Sequence, residues 1–250
     1  EPSATLQSGF MTIVLSWLLS FVFGMLPYVL WGGEFTLINA WFESVSGYTT
    51  TGATILTDIE SLPKSILFWR SSTHFIGGLG VIIFLLMVLP DSSAVKLRLT
   101  HLELSSLSKE GYRFRSGTTA RVMVGVYCAL TTCLFLLLWA AGMSPFDAVN
   151  HAFSTVSTGG FSTRNMSIMH YDSVIIDIIL TVFMILSSMH FGTLFAIAVK
   201  RSFKPLGNSV TRYYLSIIAV ISIIIMLSLK LQGGYESWGK ALLDSTFQTA

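Results

Sequence analysis

The chain has 250 residues, of which 52% are hydrophobic and only 11% are charged, well under half the roughly 25% found in an ordinary soluble domain. Together with a mean hydropathy of +0.69, this composition excludes a disordered protein and disfavours a soluble enzyme. The net charge of +2 is uninformative about nucleic acid, and we expect no nucleic-acid partner. The composition predicts an all-α, polytopic membrane protein.

Several stretches have the length and apolar character of membrane spans, which take about 20 mostly apolar residues each. The five predicted spans are Phe10 to Leu30, Ile66 to Leu89, Val122 to Gly142, Val174 to Val199 and Tyr213 to Leu229. The second and the fourth also carry polar residues. We therefore expect a multi-pass protein of the cell membrane (an inner or plasma membrane) that is in contact with the lipid bilayer.

The basic residues indicate how these spans are oriented. Six Lys and Arg residues follow the second span and four follow the fourth, so the positive-inside rule places both segments in the cytoplasm. Residues 31–65 and 143–173 then face outward. Their acidic residues are Glu34, Glu43, Asp58, Glu60, Asp147 and Asp172. Against these stand only Lys64 and Arg164, so we predict an acidic outer mouth that attracts cations.

Each outer connection begins with a segment that is too apolar for an ordinary loop and too short to span the bilayer. These segments start near Asn39 and Asp147. The second opens with Ser144-Pro145-Phe146-Asp147, which fits a capping box with proline at the first helical position. A helix of about 12 residues rises roughly 18 Å, about half the bilayer depth. We predict re-entrant half-helices, each followed by an extended polar segment that returns to the outer side.

The two outer connections align without a gap, Thr36 to Thr54 over Ser144 to Ser162. Four positions are identical, among them Gly52 and Gly160, and four more are conservative replacements. A repeat is therefore predicted that consists of a helix, a re-entrant half-helix, an extended filter strand and a second helix, arranged around a pore.

A third copy of this unit begins near the end of the chain. Tyr213 to Leu229 is its predicted span and Trp238 to Ala250 its predicted half-helix, with Asp244 at the place of Asn39 and Phe247 at the place of Phe42. The predicted divisions are a first repeat (1–90), a basic cytoplasmic linker (91–117), a second repeat (118–199), a basic cytoplasmic loop (200–212) and the truncated start of a third repeat (213–250).

The two returning segments, Thr49 to Thr54 (the first filter segment) and Ser157 to Ser162 (the second filter segment), offer carbonyl and hydroxyl oxygens but no carboxylate. Irregular backbone at membrane depth is tolerated only inside protein or beside a wet cavity. Oxygen dipoles replace the hydration shell of a monovalent cation, and glycine permits positive φ, so that carbonyls can point at an axis. These segments predict an ion filter, with an ordinary Thr/Gly-rich loop as the alternative.

Three stretches resemble the Trk/Ktr/HKT potassium transporter superfamily, and its bacterial TrkH branch in particular. Phe42 to Thr54 is similar to the first pore segment, Phe68 to Gly80 to the helix after it, and Met143 to Ser162 to the second pore segment. The resemblance covers nearly the whole chain. It implies four repeats around one pore, homodimers and a cytosolic nucleotide-binding regulatory subunit.

By the same resemblance, the filter would hold K⁺ ions and no organic cofactor. The implied filter residues are Thr50, Thr51, Gly52, Thr158, Gly159 and Gly160. Gly52 and Gly160 fall on the filter glycines of the family, and the carbonyls of the other four residues are implied to face the ion. In the plant branch a serine at the first filter glycine goes with sodium transport, so Gly52 favours potassium. The third filter, the gating loop and the fourth repeat are absent, and we interpret the chain as a fragment rather than as one part of a pore built from several chains.

We therefore expect potassium uptake by channel-like conduction and no enzymatic activity. A sodium-permeant or ion-coupled secondary transporter with discontinuous helices and a non-conducting structural fragment or subunit stay open as alternatives. A membrane-embedded enzyme is disfavoured, because no acid, base and nucleophile converge in the sequence.

A few ionisable residues lie within or near spans and are functional-site hypotheses. They are Arg70, His74, Asp177 and His190. We interpret Arg70 as a snorkelling side chain or a packing anchor, and both histidines as neutral, hydrogen-bonded core residues. Three glycines in the second span predict close helix packing; they are Gly77, Gly78 and Gly80.

Overall fold

The computed structural model describes residues 6–88, 116–189, 193–194, 196–197, 202–235 and 237–250. Its principal α-helices, in chain order, are α1 (Leu6–Trp31), α2 (Leu37–Tyr48), α3 (Lys64–Val88), α4 (Ser116–Ala140), α5 (Pro145–Val156), α6 (Val174–Ser187), α7 (Ser209–Leu231) and α8 (Trp238–Thr249). Short 3-10 helices cover Ser167–Tyr171 and Lys204–Gly207. All regular structure in these ranges is helical, which confirms the predicted all-α class. The greater part of the predicted linker 91–117 lies outside the described residues.

Three helices of the described part are long and apolar enough to cross a membrane, namely Gly9–Trp31, Arg121–Ala140 and Ser209–Leu231. They match the first, third and fifth predicted spans. The second predicted span is also one helix, α3, of 25 residues.

The fourth predicted span is not one uninterrupted helix, because α6 ends at Ser187. The Ser188 N–H still bonds to the Met184 carbonyl, but the Met189 N–H bonds three residues back, to Leu186, at 3.2 Å. The prediction of a continuous span to Val199 is therefore wrong at Ser188.

The helices pack in the predicted repeating order. Helices α1 and α3 flank the half-helix α2, and α4 and α6 flank the half-helix α5. The exit helix of each unit also contacts the half-helix of the next, since α3 packs on α5 and α6 packs on α8. Consecutive repeats are thus joined by the same element each time.

The third half-helix, α8, lies where the sequence predicts it. It begins at Trp238, the first residue of the predicted segment Trp238 to Ala250, and ends at Thr249. Its N-cap residue, Ser237, makes no side-chain capping bond. With Phe247 at the place of Phe42, the counterpart of Leu37 is Leu242, so α8 extends one helical turn further toward its N-terminus than α2 does.

Glycines in α3 allow the close packing that the sequence predicts. A Cβ added to Gly77 would overlap the backbone carbonyl of Tyr48, at the end of α2. One added to Gly78 would lie 2.7 Å from the Tyr127 hydroxyl on α4 and 3.0 Å from the Cβ of Ser157. Helix α3 is thereby in direct contact with the C-terminal ends of both half-helices, where the filter segments begin.

Candidate functional site

The half-helices α2 and α5 are built alike, each with 12 residues. Thr36 caps α2 by accepting a hydrogen bond from the Asn39 N–H at 3.3 Å. Ser144 caps α5 by accepting from the Asp147 N–H at 3.1 Å, with Pro145 at the first helical position. The predicted N-cap at Ser144, the proline after it and the repeat are confirmed at this level. The side chain of Asp147 accepts from the Ser144 hydroxyl at 2.9 Å, and not from the Ser144 N–H as in a full capping box.

The first half-helix ends in a Schellman motif that turns the chain into the first filter segment. The Thr50 N–H bonds to the Gly47 carbonyl at 3.1 Å, and the Thr51 N–H bonds to the Ser46 carbonyl at 2.9 Å. These two bonds satisfy carbonyls that the helix would otherwise leave unpaired.

The second half-helix repeats this ending at equivalent positions. The Thr158 N–H bonds to the Thr155 carbonyl at 3.0 Å, and the Gly159 N–H bonds to the Ser154 carbonyl at 2.7 Å. The identical bonding pattern explains why the two filter segments leave their helices in the same way.

Left-handed backbone occurs twice in each filter segment. Gly52 and Gly160 have φ of +76° and +92°, as the sequence predicts for glycine. Thr50 and Thr158 also have positive φ, +54° and +56°, at a position that helices usually give to glycine or asparagine. A β-branched residue there costs roughly 1–2 kcal/mol, and such strain clusters at functional sites. Sequence reasoning missed this pair; its only signal is the threonine one residue beyond each helix C-cap.

The two filter segments lie against each other. A Cβ added to Gly52 would overlap the Gly159 carbonyl oxygen and lie 3.6 Å from the Gly160 Cα. The structure therefore brings the glycines of both predicted filter segments together, although they are about a hundred residues apart in the chain.

The filter carbonyls stand out by the absence of hydrogen-bond donors in the described part of the chain. Among the described residues, no N–H or O–H group bonds to the carbonyl oxygens of Thr50, Thr51, Thr158 or Gly159. The side chains of Thr51 and Thr158 are exposed. These carbonyl oxygens are thus free to coordinate a cation.

A cavity of about 290 Å³ borders the second filter segment. Thr158, Gly159 and Gly160 line one side of it, and Phe247 of α8 lines another. The second filter segment therefore faces open space on the side of the third half-helix.

Each filter segment is tied at its outer end to its own half-helix through equivalent positions. In the first repeat the Thr54 hydroxyl donates to Glu43 Oε1 at 2.7 Å. In the second repeat His151 Nε2 and the Ser162 hydroxyl are 3.1 Å apart. Glu43 and His151 occupy equivalent positions in the two half-helices. The same link between half-helix and filter segment is therefore made by a carboxylate in the first repeat and by an imidazole in the second.

Arg70 does not snorkel to the membrane surface. Its side chain is only 1% exposed, and its Nε and one terminal nitrogen both lie 2.9 Å from Oε1 of the fully buried Glu43. The snorkelling interpretation is wrong, because a carboxylate on the neighbouring half-helix holds the guanidinium inside.

The predicted acidic mouth is weaker than the sequence suggests. Glu43 pairs with Arg70, and the buried Asp147 accepts from Arg164 at 3.0 Å and from the Thr163 hydroxyl at 2.6 Å. Both carboxylates are therefore neutralised by buried or half-buried partners and add little negative charge to the outer mouth. The acidic residues of the outer connections that remain exposed are Glu34, Asp58, Glu60 and Asp172.

The environment of Asp147 controls its ionisation. Burial raises the pKa of this carboxyl, but hydrogen bonds from Thr163, Arg164 and Ser144 outweigh burial and hold the pKa below its ordinary value. The carboxylate form therefore stabilises the outer end of α5.

Asp147→Asn is expected to make the protein less sensitive to acid. A lowered pKa in the folded state means that the charge stabilises the fold above the ordinary carboxyl pKa, and that this contribution is lost as the pH falls from there through the lower pKa of the folded state. The thermal unfolding midpoint of the wild type should fall more steeply over that range than the midpoint of Asp147→Asn. Parallel pH profiles would contradict this expectation.

His74 is a core residue directly behind the second filter segment. It is fully buried, its Nδ1 lies 3.1 Å from the Ser154 hydroxyl, and its ring stacks on Phe161 at 4.0 Å. A Cβ added to Gly159 would overlap this ring. The hydrogen-bonded core interpretation is confirmed for His74, whereas His190 lies outside the described residues.

Known proteins resemble this chain over most of its length. The family model described as TrkH, cation transport protein, matches residues 2–231. The Trk system potassium uptake protein TrkH of Salmonella typhimurium is 34% identical over 245 residues, which cover 97% of this chain and 51% of that protein. Its namesake in Escherichia coli K12 is 38% identical over 200 residues, which cover 79% of this chain and 41% of the relative.

A solved structure has the same fold. The crystal structure of the potassium transporter TrkH from Vibrio parahaemolyticus matches with a TM-score of 0.84 and 30% sequence identity, covering all of this chain and 51% of that one. The chain thus spans about half the length of the curated relatives it matches.

Proposed function

Since this chain belongs to the TrkH family of cation transport proteins, we propose that the intact protein takes up potassium by conduction through a carbonyl-lined filter. Members of this family are ion transporters rather than enzymes, and the chain is an integral membrane protein, as the sequence predicts. The observation that supports the proposal best is the contact between two equivalent filter segments whose carbonyl oxygens lack hydrogen-bond donors in the described residues.

The proposed filter works by replacing water with peptide oxygens. K⁺ would meet the carbonyls of Thr50, Thr51, Thr158 and Gly159. Within the described residues these carbonyls accept no hydrogen bond that would have to break before an ion binds. The C-terminal ends of α2 and α5 add roughly half a negative charge each at the start of the filter segments. An inside-negative potential of 100 mV supplies about 2.3 kcal/mol per charge, which corresponds to roughly fifty-fold accumulation.

Two features favour potassium over other cations. The relatives named above are potassium uptake proteins, and the first filter position is the glycine Gly52. The filter segments also contain no carboxylate, whereas rings of Asp or Glu are an alternative way to select cations. Carbonyl coordination is therefore the mechanism that these residues support.

Uptake of ⁸⁶Rb⁺ into vesicles that contain the intact protein tests this function. We expect uptake that is driven by an inside-negative potential and needs no organic solute and no sodium or proton gradient. Uptake that requires such a gradient would favour the ion-coupled secondary transporter, and equal uptake of ²²Na⁺ would favour a sodium-permeant pore. The absence of any flux would favour the non-conducting alternative.

Two further proposals rest on the family resemblance. We propose that the intact protein pairs with a second copy and with a cytosolic nucleotide-binding regulatory subunit. Cross-linking of the purified protein, with and without cytosolic extract, would test both. A monomer that co-purifies with no nucleotide-binding protein would contradict them.

A further inference from the structure

Arg70 touches the outer ends of both filter segments, although it belongs to the exit helix of the first repeat alone. On the first side, one terminal nitrogen donates to the Thr54 hydroxyl at 3.2 Å. On the second side, the other terminal nitrogen approaches the Ser162 carbonyl at 3.5 Å, and the guanidinium carbon lies 4.1 Å from the centre of the Phe161 ring. One side chain therefore spans the two filter segments.

The contacts of Arg70 involve both the hydrogen-bonding edge and a flat face of the guanidinium. Its Nε and one terminal nitrogen bond to Glu43 on α2, while its flat face lies on the Phe161 ring, an arrangement that arginine favours. A side chain held on all sides in this way, at 1% exposure, has little freedom to move. It is therefore a rigid spacer rather than a mobile charge.

The position of this spacer matches what a selective filter needs. Thr54 lies two residues beyond Gly52, and Phe161 and Ser162 follow Gly160 directly. A change in the separation of these residues is transmitted to the carbonyls beside them, because the filter segments already touch at Gly52 and Gly159. Discrimination between K⁺ and the smaller Na⁺ depends on the geometry and number of the coordinating oxygens.

We infer that Arg70 is a positioning residue for ion selectivity, because it sets the separation of the first and second filter segments without contacting the ion. This inference rests on the proposed potassium uptake. It goes beyond that proposal by assigning control of selectivity to one buried side chain outside both filter segments.

Arg70→Lys in the intact protein is the direct test. Lysine keeps the charge beside Glu43 but carries its three N–H donors on one nitrogen in place of the planar fork, so it cannot reach Glu43 and both filter segments at once. We expect the ratio of ⁸⁶Rb⁺ to ²²Na⁺ uptake to fall by about tenfold, the factor that corresponds to loss of one hydrogen bond to a charged group. The level of protein in the membrane and its thermal midpoint are measured alongside.

Arg164→Lys is the matched control. The Arg164 side chain also pairs with a half-helix carboxylate, Asp147, and with Glu60, whereas its link to the second filter segment is made by the backbone N–H, which donates to the Ser162 hydroxyl and is kept in the lysine variant. This variant should keep the wild-type ion ratio. If Arg164→Lys lowers the ratio as much as Arg70→Lys does, the specific role of Arg70 is overturned.

Phe161→Leu tests the same inference without changing the ion pair, should Arg70→Lys fail to reach the membrane. It removes the ring on which the guanidinium lies, and the ion ratio is expected to fall in the same direction. A normal ion ratio in a well-folded Arg70→Lys would overturn the inference. The same holds for a normal ion ratio in Phe161→Leu when the lysine variant does not fold. In both cases ⁸⁶Rb⁺ uptake by the wild type would leave the proposed function intact. No ⁸⁶Rb⁺ uptake by the wild type would instead overturn the proposed function.

Discussion

Gly52→Ser is expected to lower the potassium-over-sodium selectivity of the intact protein by about tenfold, equivalent to about 1.4 kcal/mol. Gly52 has a φ of +76°, and an added Cβ would overlap the Gly159 carbonyl oxygen. That oxygen belongs to the backbone, so relief of the overlap must move the second filter segment. Competition between ⁸⁶Rb⁺ and Na⁺ in a flux assay measures the change, and unchanged relative permeabilities would contradict the filter assignment.

Gly160→Ser separates the overlap from the backbone strain. Gly160 also has positive φ, +92°, but an added Cβ there meets nothing within 4 Å. The selectivity loss should therefore be smaller than for Gly52→Ser. Equal losses would mean that backbone strain alone, rather than contact between the filter segments, controls selectivity.

Gly77→Ala is expected to destabilise the protein by about 1–3 kcal/mol, the usual cost of overpacking a well-filled interior. The new methyl group would overlap the Tyr48 carbonyl oxygen, so α3 must move away from the end of α2. Thermal unfolding in detergent should show a lower midpoint, together with less protein in the membrane.

Gly125→Ala is the control for that substitution. Gly125 lies in α4, and a Cβ added to it meets nothing within 4 Å. Because alanine is a better helix former than glycine by roughly 1 kcal/mol, this variant should be as stable as the wild type or more so. A loss of stability equal to that of Gly77→Ala would show that helix packing at Gly77 is not the cause.

Local chemistry made much of this architecture predictable. Spans of about 20 apolar residues are recognisable because the bilayer has a fixed thickness. Ser144 and Pro145 mark the start of α5 because capping and a fixed φ act within one helical turn. The positive φ of Gly52 and Gly160 follows from the freedom that glycine has. Each of these properties depends on a residue and its near neighbours in the chain.

Long-range contacts account for the predictions that were wrong. Glu43 looked like a charge of the outer mouth, and Arg70 like either a snorkelling side chain or a packing anchor. No local pattern shows that these two residues, 27 positions apart, pair with each other. The break after α6, at Ser188, likewise did not follow from hydropathy.

The amino-acid sequence was sufficient for the helices apart from the break after α6, for the caps of α2 and α5 and for the glycines of the filter, since each is set within a few residues. The contact of Gly52 with Gly159, the left-handed backbone at Thr50 and Thr158, and the burial of Arg70 against Glu43 emerged only from the folded chain. Burial and strain depend on which distant groups come together in space, and no local pattern specifies those partners.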